Sequence, residues 1–446
     1  MKKINIKGIN EVIYYKKIDN GLEVYLYTKD NISNNYVTFT TKFGSINNKF
    51  IPINKNKMIN IPNGVAHFLE HKVFAQKENP QPEEFFAQSG AYCNAYTTFK
   101  NTTYMFSGPN NLKENINYLL DFVQSPYFTK DNVKSEKGII NQEINMCNDN
   151  LTDVLYEHIR QNAFKNNPFK NSIIGTKKDI AKITPELLKT CYDTFYNPEN
   201  MFLVVTGNFN PNEIIKEIEE NQSKKEFTKL DSLKLKEYNE IDSVVKEKEI
   251  IKKDTNIDKF SFNIKIPLNK KISKKKFNVY LFIIFSLLFD DTSTFDERLK
   301  KEGIITSSLY INLLNCDTHT LISLINETNQ HKKLLKEIEQ ELKNIKINEE
   351  DLERKKKVLI SNEIFSYENI EIINEAIIDN IIFDNHVESN MIDLIKSINI
   401  KELNSIIKSL NLTNKTIVVV EKDNWHKMHI VLKLIRYCLR RCSSAG

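Results

Sequence analysis

His67 and His71 stand four residues apart with Glu70 between them, in Gly64-Val65-Ala66-His67-Phe68-Leu69-Glu70-His71. On a helix, residues three and four apart share a face. The two imidazoles and the carboxylate therefore converge, while Val65, Phe68, Leu69 and Val73 point the other way, as a buried helix with one polar corner requires. Two neutral imidazoles at this spacing suit a zinc ion at roughly 2.0–2.1 Å. A water held by such an ion has its pKa lowered to about 7, and an acid beside it can take its proton. Glu70 is the candidate general base.

A catalytic zinc needs a third protein ligand and keeps one position open. Downstream, Ser135-Glu136-Lys137-Gly138-Ile139-Ile140-Asn141-Gln142-Glu143-Ile144-Asn145-Met146 reads as a helix carrying Glu136 and Glu143 on one face, seven residues being close to two turns. Glutamates so spaced usually line a solvated face. Here Ile139 and Ile140 fall on the same side as the acids, which predicts that this face turns inward. One acid can ligate while the other acts behind the ligands.

With these residues the chain resembles the insulinase or pitrilysin-type zinc peptidases, the inverzincins whose motif inverts that of the commoner metalloproteases. Within them it is most similar to the bacterial YmfH-like subfamily. The resemblance extends to Asn20-Gly21-Leu22, Phe43-Gly44-Ser45, Gly90-Ala91-Tyr92-Cys93-Asn94-Ala95-Tyr96-Thr97-Thr98, Ile174-Gly175-Thr176 and Tyr196-Asn197-Pro198-Glu199-Asn200-Met201, ahead of Val204-Val205-Thr206-Gly207. It runs over residues 1–210 and follows more loosely to residue 421. What it implies is that His67, His71 and Glu143 hold one zinc per chain, that Glu70 is the base, and that Glu136 supports the site. It also implies that Asn94 and Ala95 lie on an edge strand to which a substrate peptide adds as a further strand. Main-chain pairing of that kind gives affinity without demanding a particular sequence.

The elements that must position these residues are legible in outline. Residues 22–45 and 91–107 alternate like strands, 64–75, 129–147 and 186–196 read as helices, and Phe202–Thr206 as a strand. Mixed in this order, they predict an α+β fold with helices on one face of a largely antiparallel sheet. The family resemblance implies two related α/β sandwich domains of this type, together half of a clamshell chamber. The expected division is a zinc-binding catalytic domain at 1–220, a charged linker at 221–254, a second, homologous domain without a metal site at 255–421, and a basic tail at 422–446. Phe277–Phe289 is too short for a membrane span, which takes about 20 residues, and reads as a buried helix. Residues 331–365 read as one long surface helix.

Glycine and proline, 11 each, are concentrated before residue 212, so the turns a site demands belong to the first half. No apolar run opens the chain and the cysteines (93, 147, 191, 316, 438, 442) suggest no disulfide framework, so the expected compartment is the cytoplasm. From Lys422 onward six basic residues against one acid account for the whole formal net charge of +5, leaving a neutral body and no case for nucleic acid. In that tail Trp425, Met428, Val431, Ile435, Cys438 and Cys442 have helical spacing, so contact with a membrane surface is a secondary expectation. His426, His429, Cys438 and Cys442 are a weak candidate for a second zinc set.

In single-chain members of the family it resembles, and in some partner subunits, an Arg/Tyr pair from the second half faces the zinc and helps to bind the substrate carbonyl. Aligned on Gly303, the Arg position falls on Leu299, next to Arg298, and the Tyr position on Thr306, so the pair is missing here. The expectation is a zinc endopeptidase acting on peptides or small unstructured proteins, with a same-fold partner subunit supplying the pair. The rival reading is a catalytically silent, peptide-binding or scaffold subunit of the same fold.

Overall fold

The structure, a computed structural model, describes residues 1–423 except Asn79 and Asp231. The tail from Asn424, with its amphipathic spacing and its His/Cys set, lies outside the described residues. The chain opens with strands β1 (Lys2–Ile6), β2 (Glu11–Lys17), β3 (Glu23–Thr28) and β4 (Asn35–Thr41), then the short pair β5 (Lys49–Phe50) and β6 (Ile59–Asn60). Helices α1 (Val65–Phe74) and α2 (Pro82–Gln88) follow, then β7 (Tyr92–Thr97) and β8 (Thr102–Gly108). Next come α3 (Leu112–Val123), α4 (Lys130–Asp149), α5 (Leu151–Ala163), α6 (Lys177–Ala181), α7 (Pro185–Phe195), β9 (Met201–Gly207) and α8 (Pro211–Gln222). The second half runs through β10 (Lys248–Lys253), β11 (Lys259–Pro267), α9 (Lys274–Phe289), α10 (Thr294–Lys301), β12 (Tyr310–Asn315) and β13 (His319–Glu327). It ends with α11 (His331–Lys343), α12 (Glu349–Ser366), α13 (Ile370–Asp384), α14 (Met391–Ser397), α15 (Ile400–Ser409) and β14 (Lys415–Lys422).

Two large sheets result, ordered β1-β2-β3-β9-β4-β8-β7 and β10-β14-β11-β13-β12, beside the two-stranded β5-β6. Each is antiparallel except for one parallel pair, β3 with β9 and β10 with β14. From β3 onward the first sheet repeats the connectivity of the second: in both, the first strand of the unit pairs with the last, the last with the second, the second with the fourth and the fourth with the third. Strands β7 and β12 are the equivalent open edges. This shared order is the physical content of the expectation of two related α+β domains.

The chain does not divide at a linker. Among the described residues, its contacts separate one unit of residues 1–147, 166–239 and 348–403 from another of 148–165, 240–347 and 404–423. The units interleave because each half of the chain contributes a corresponding helix to the other. Helix α5, from the first half, packs on β14 and β11, and α13, from the second half, packs on β9 and β4. The 1–220 and 255–421 boundaries miss this exchange, and the 221–254 stretch includes β10, a paired strand of the second sheet.

In the first unit one face of the sheet meets the helices through Leu26, Phe39, Phe68, Leu69, Phe106, Leu120, Ile140 and Leu203, all fully buried or nearly so. The other face is covered by α13, where Tyr25, Tyr27, Phe202 and Val204 meet Ile373, Ile377 and Ile381. Asn374 is fully buried in that contact and is satisfied there, accepting from the Thr38 hydroxyl at 2.7 Å and donating to the Tyr36 carbonyl at 3.1 Å. In the second unit β11 is buried along nearly its whole length, polar residues included, as a strand covered on both faces must be. Lys265 is buried there with its ammonium donating to the carbonyls of Ala163 and Ser243 at 2.6 and 2.7 Å and paired with Glu240 at 3.2 Å. The apolar run 277–289 is the interior helix α9, and no described helix is long and apolar enough to cross a membrane. The single helix expected over 331–365 is instead α11 and α12, separated because the Asn348 side chain accepts from the Asp351 N–H at 2.8 Å and starts a new helix.

Candidate metal centre

Helix α1 begins where two glycines let backbones touch. Gly64 sits at the helix N-cap with φ +85°, and a Cβ there would lie 2.4 Å from the Ile174 carbonyl oxygen. Gly175 has φ +73°, and its Cβ would lie 2.6 Å from the Asn63 oxygen. Only glycine accommodates both the conformation and the approach. From this start Val65, Phe68, Leu69 and Val73 enter the core, and His67, Glu70 and His71 are left on the opposite corner.

Helix α4 brings Glu143 to that corner. Its carboxylate lies 3.4 Å from His67 Nε2 and 3.6 Å from His71 Nε2. Two ligands about 2.1 Å from a tetrahedral ion stand about 3.4 Å apart, so the separations fit a single ion. One donor atom from each of the three residues lies within 4.8 Å of the others. The His67 side chain is 9 % exposed, against 26 % for His71 and 34 % for Glu143, so the centre is anchored in the core and open on one side.

Glu136, one helical face earlier on α4, receives the other side of the His71 ring: Nδ1 stands 3.0 Å from Oε1. Its second oxygen accepts from Lys72 at 3.3 Å, a lysine whose side chain is 3 % exposed. A carboxylate behind the ring fixes its orientation and leaves Nε2 to face the centre. His67 has no such carboxylate behind it: its Nδ1 is buried without a hydrogen-bond partner, and the ring is oriented by packing and by Nε2 facing Glu143. The third acid, Glu70, accepts from the Thr97 hydroxyl at 2.6 Å, which ties one carboxylate oxygen to strand β7.

Three carboxylates against two imidazoles and one lysine leave the corner with surplus negative charge, which suits a divalent cation. The charges act on one another accordingly. The hydrogen bond from His67 holds the Glu143 carboxyl below its ordinary range against the upward push of burial. Burial raises Glu136, but His71 and Lys72 outweigh it and the carboxyl also lies low. Burial pushes the His71 imidazolium down, while Glu136, Glu70 and Glu143 together carry it above its usual value.

The structure thus brings His67, His71 and Glu143 together, with Glu70 and Glu136 adjoining. The inward turn of α4 differs from expectation in one residue: Val133, Glu136, Ile140 and Ile144 form the buried stripe, while Ile139 is 53 % exposed. The inward stripe runs along 133, 136, 140 and 144, and Ile139 falls outside it. Asn94 and Ala95 lie on β7, an edge strand. The Ala95 N–H is met by the Asn94 side-chain oxygen at 2.9 Å, a local contact that a docking strand would displace. Sequence reasoning missed Lys72 and Thr97. Strand alternation could have found Thr97, which lies two residues from Ala95 and so on the same face of β7.

The chain is similar to known zinc proteases in sequence and fold. The profile described as Insulinase (Peptidase family M16) matches residues 60–177, and that described as Peptidase M16 inactive domain matches residues 182–359. The zinc protease YmfH of Bacillus subtilis is 39 % identical over 307 residues, 68 % of this chain and 72 % of that protein. The mitochondrial-processing peptidase subunit beta of Caenorhabditis elegans is 29 % identical over 160 residues, 34 % of each chain. Among solved structures, an M16-like peptidase from Alicyclobacillus acidocaldarius matches with TM-score 0.88 and 28 % identity, over 93 % of this chain and 99 % of that one.

Proposed function

Because the chain belongs to the insulinase family of peptidases, family M16, we propose that it is a zinc-dependent endopeptidase cleaving peptides or small unstructured proteins, as the catalytic subunit of a heterodimer. The observation that carries this reading is the convergence of His67, His71 and Glu143 on one point beside Glu70. These three residues would hold the zinc, which when bound polarises the attacking water and the scissile carbonyl. Glu70 takes the proton from the water and passes it to the leaving amine. Thr97 keeps one Glu70 oxygen fixed during that transfer, and Glu136 keeps the His71 ring in place. The substrate pairs with the free edge of β7 at Asn94 and Ala95, and only an extended segment can do so, which restricts substrates to unfolded stretches. For the compartment we propose the cytoplasm, where thiols such as Cys93 and Cys191, neither in a disulfide, stay reduced.

The chain isolated in its native assembly is expected to cleave an unstructured peptide, to lose that activity on exhaustive chelation, and to regain it with zinc. Cleavage that survives complete removal of metal overturns the proposal.

The two glutamates of α4 separate by role. Glu143→Gln is expected to lower zinc affinity sharply, since it removes a donor. Glu136→Gln leaves the donors in place and loosens His71, with an expected cost of about 10–100-fold in activity or affinity, as for other groups that orient a ligand. Metal analysis of both variants checks the assignment: Glu136→Gln stripped of zinc beside a fully loaded Glu143→Gln would reverse it.

A further inference from the structure

The second unit has a cluster that repeats part of the geometry at His71. Asp258 lies just before β11, His331 is the first residue of α11, and Glu421 is near the end of β14. His331 Nδ1 stands 3.1 Å from Asp258 Oδ2, as His71 Nδ1 stands 3.0 Å from Glu136. On the other side of the ring, Nε2 faces Glu421 Oε2 at 4.0 Å, as His71 Nε2 faces Glu143 at 3.6 Å. A separation of 4.0 Å is too long for a hydrogen bond. It is within twice a metal–ligand bond of about 2.1 Å, so the two atoms can share one ion.

The cluster is built rather than scattered. Asp258 is fixed by its own backbone, its N–H donating to Asn329 Oδ1 at 3.0 Å, and its Oδ1 accepts from the Lys422 N–H at 3.2 Å. The side chains are mostly covered, 14 % exposed for Asp258, 11 % for His331 and 21 % for Glu421. One donor atom from each residue lies within 4.8 Å of the others, and among the described residues only this trio and the first centre meet that condition. Lys252 occupies Glu421 Oε1 and holds the carboxyl below its usual range, which keeps it ionised and leaves Oε2 turned to the imidazole.

We propose that Asp258, His331 and Glu421 form a second divalent-cation site, with His331 Nε2 and Glu421 Oε2 as ligands, Asp258 orienting the ring, and water completing the shell. The imidazole ligand selects a transition ion such as zinc or cobalt over calcium or magnesium, which take oxygen ligands. With two protein ligands and Lys252 competing for Glu421, this site is weaker than the first. Its effect is to tie the start of α11 to the ends of β11 and β14, so it is a structural site and takes no part in the cleavage.

Equilibrium dialysis of the full chain against zinc or cobalt tests it. The wild type is expected to take up a second, weaker equivalent, which persists when His67→Ala and His71→Ala together remove the first. Asp258→Asn should weaken the second equivalent about 10–100-fold, and His331→Asn and Glu421→Gln should abolish it while the tight first equivalent, which reports that each variant is folded, remains. Lys252→Ala should strengthen it, because the competitor for Glu421 is gone. A network that is only an ion pair would lose stability in Lys252→Ala with no gain in metal affinity. Absence of a second equivalent in the wild type, or its survival in both His331→Asn and Glu421→Gln, overturns the proposal.

Discussion

Replacing Glu70 with Gln is expected to leave the tight zinc equivalent in place and to lower kcat on an unstructured peptide by about 10²–10⁴-fold, the usual worth of a positioned proton acceptor. The amide preserves the shape of the side chain, and its oxygen can still accept from the Thr97 hydroxyl 2.6 Å away, so the fold of the site is retained. What it loses is the lone pair that receives the proton. Thr97→Val should produce a weaker version of the same defect, a fall in kcat with KM little changed, because the hydroxyl orients the base and does not meet the substrate. Thr97→Ser should restore it. Measuring metal content and turnover on the same preparation makes the result unambiguous: a fully loaded Glu70→Gln variant that still cleaves at the wild-type rate removes Glu70 from the role of base.

The centre was legible in the sequence to the extent that helical spacing alone can bring residues together. His67, Glu70 and His71 need nothing beyond one turn of helix, and Glu136 and Glu143 nothing beyond two. Which acid faces the imidazoles depends on how α4 is rotated against α1, a matter of tertiary packing, and the exposed Ile139 shows how easily that rotation is misjudged from apolar spacing. Thr97 and Lys72 were harder to see because each acts through a contact made across elements, Thr97 27 positions from Glu70 and Lys72 64 positions from Glu136. The strands and most helices were readable from their periodicity. The exchange of α5 and α13 between the two units was not, since neither the apolar stripe of α5 nor the mostly apolar α13 says by itself which sheet receives it. Asn374 carries the trace of that choice, a buried amide inside an apolar helix whose partners, Thr38 and the Tyr36 carbonyl, lie more than 300 positions away.

A zinc-loaded lone chain is expected to be nearly inactive, because on the heterodimer reading proposed above the donors aimed at the developing oxyanion come from the partner. Each such donor is worth roughly 10²–10³ in rate. At the aligned position of the arginine stands Leu299, fully buried in the second unit, and at that of the tyrosine stands Thr306. The neighbouring Arg298 is not spare: it donates to Glu337 at 2.8 Å, pairs with Glu302 at 3.6 Å and lies over the Phe295 ring at 5.6 Å. Freeing it for a substrate means giving up these contacts. Tyr310 is 59 % exposed on the edge strand β12 and is the better placed of the two for an alternative in which a second copy of this chain completes the site. A same-fold partner with its own Arg/Tyr pair requires neither rearrangement. Adding that partner to the zinc-loaded chain should raise turnover by the combined worth of the two donors, and Arg298→Ala should then have little effect on kcat. Robust cleavage by the lone chain that Arg298→Ala abolishes would show instead that two identical chains suffice.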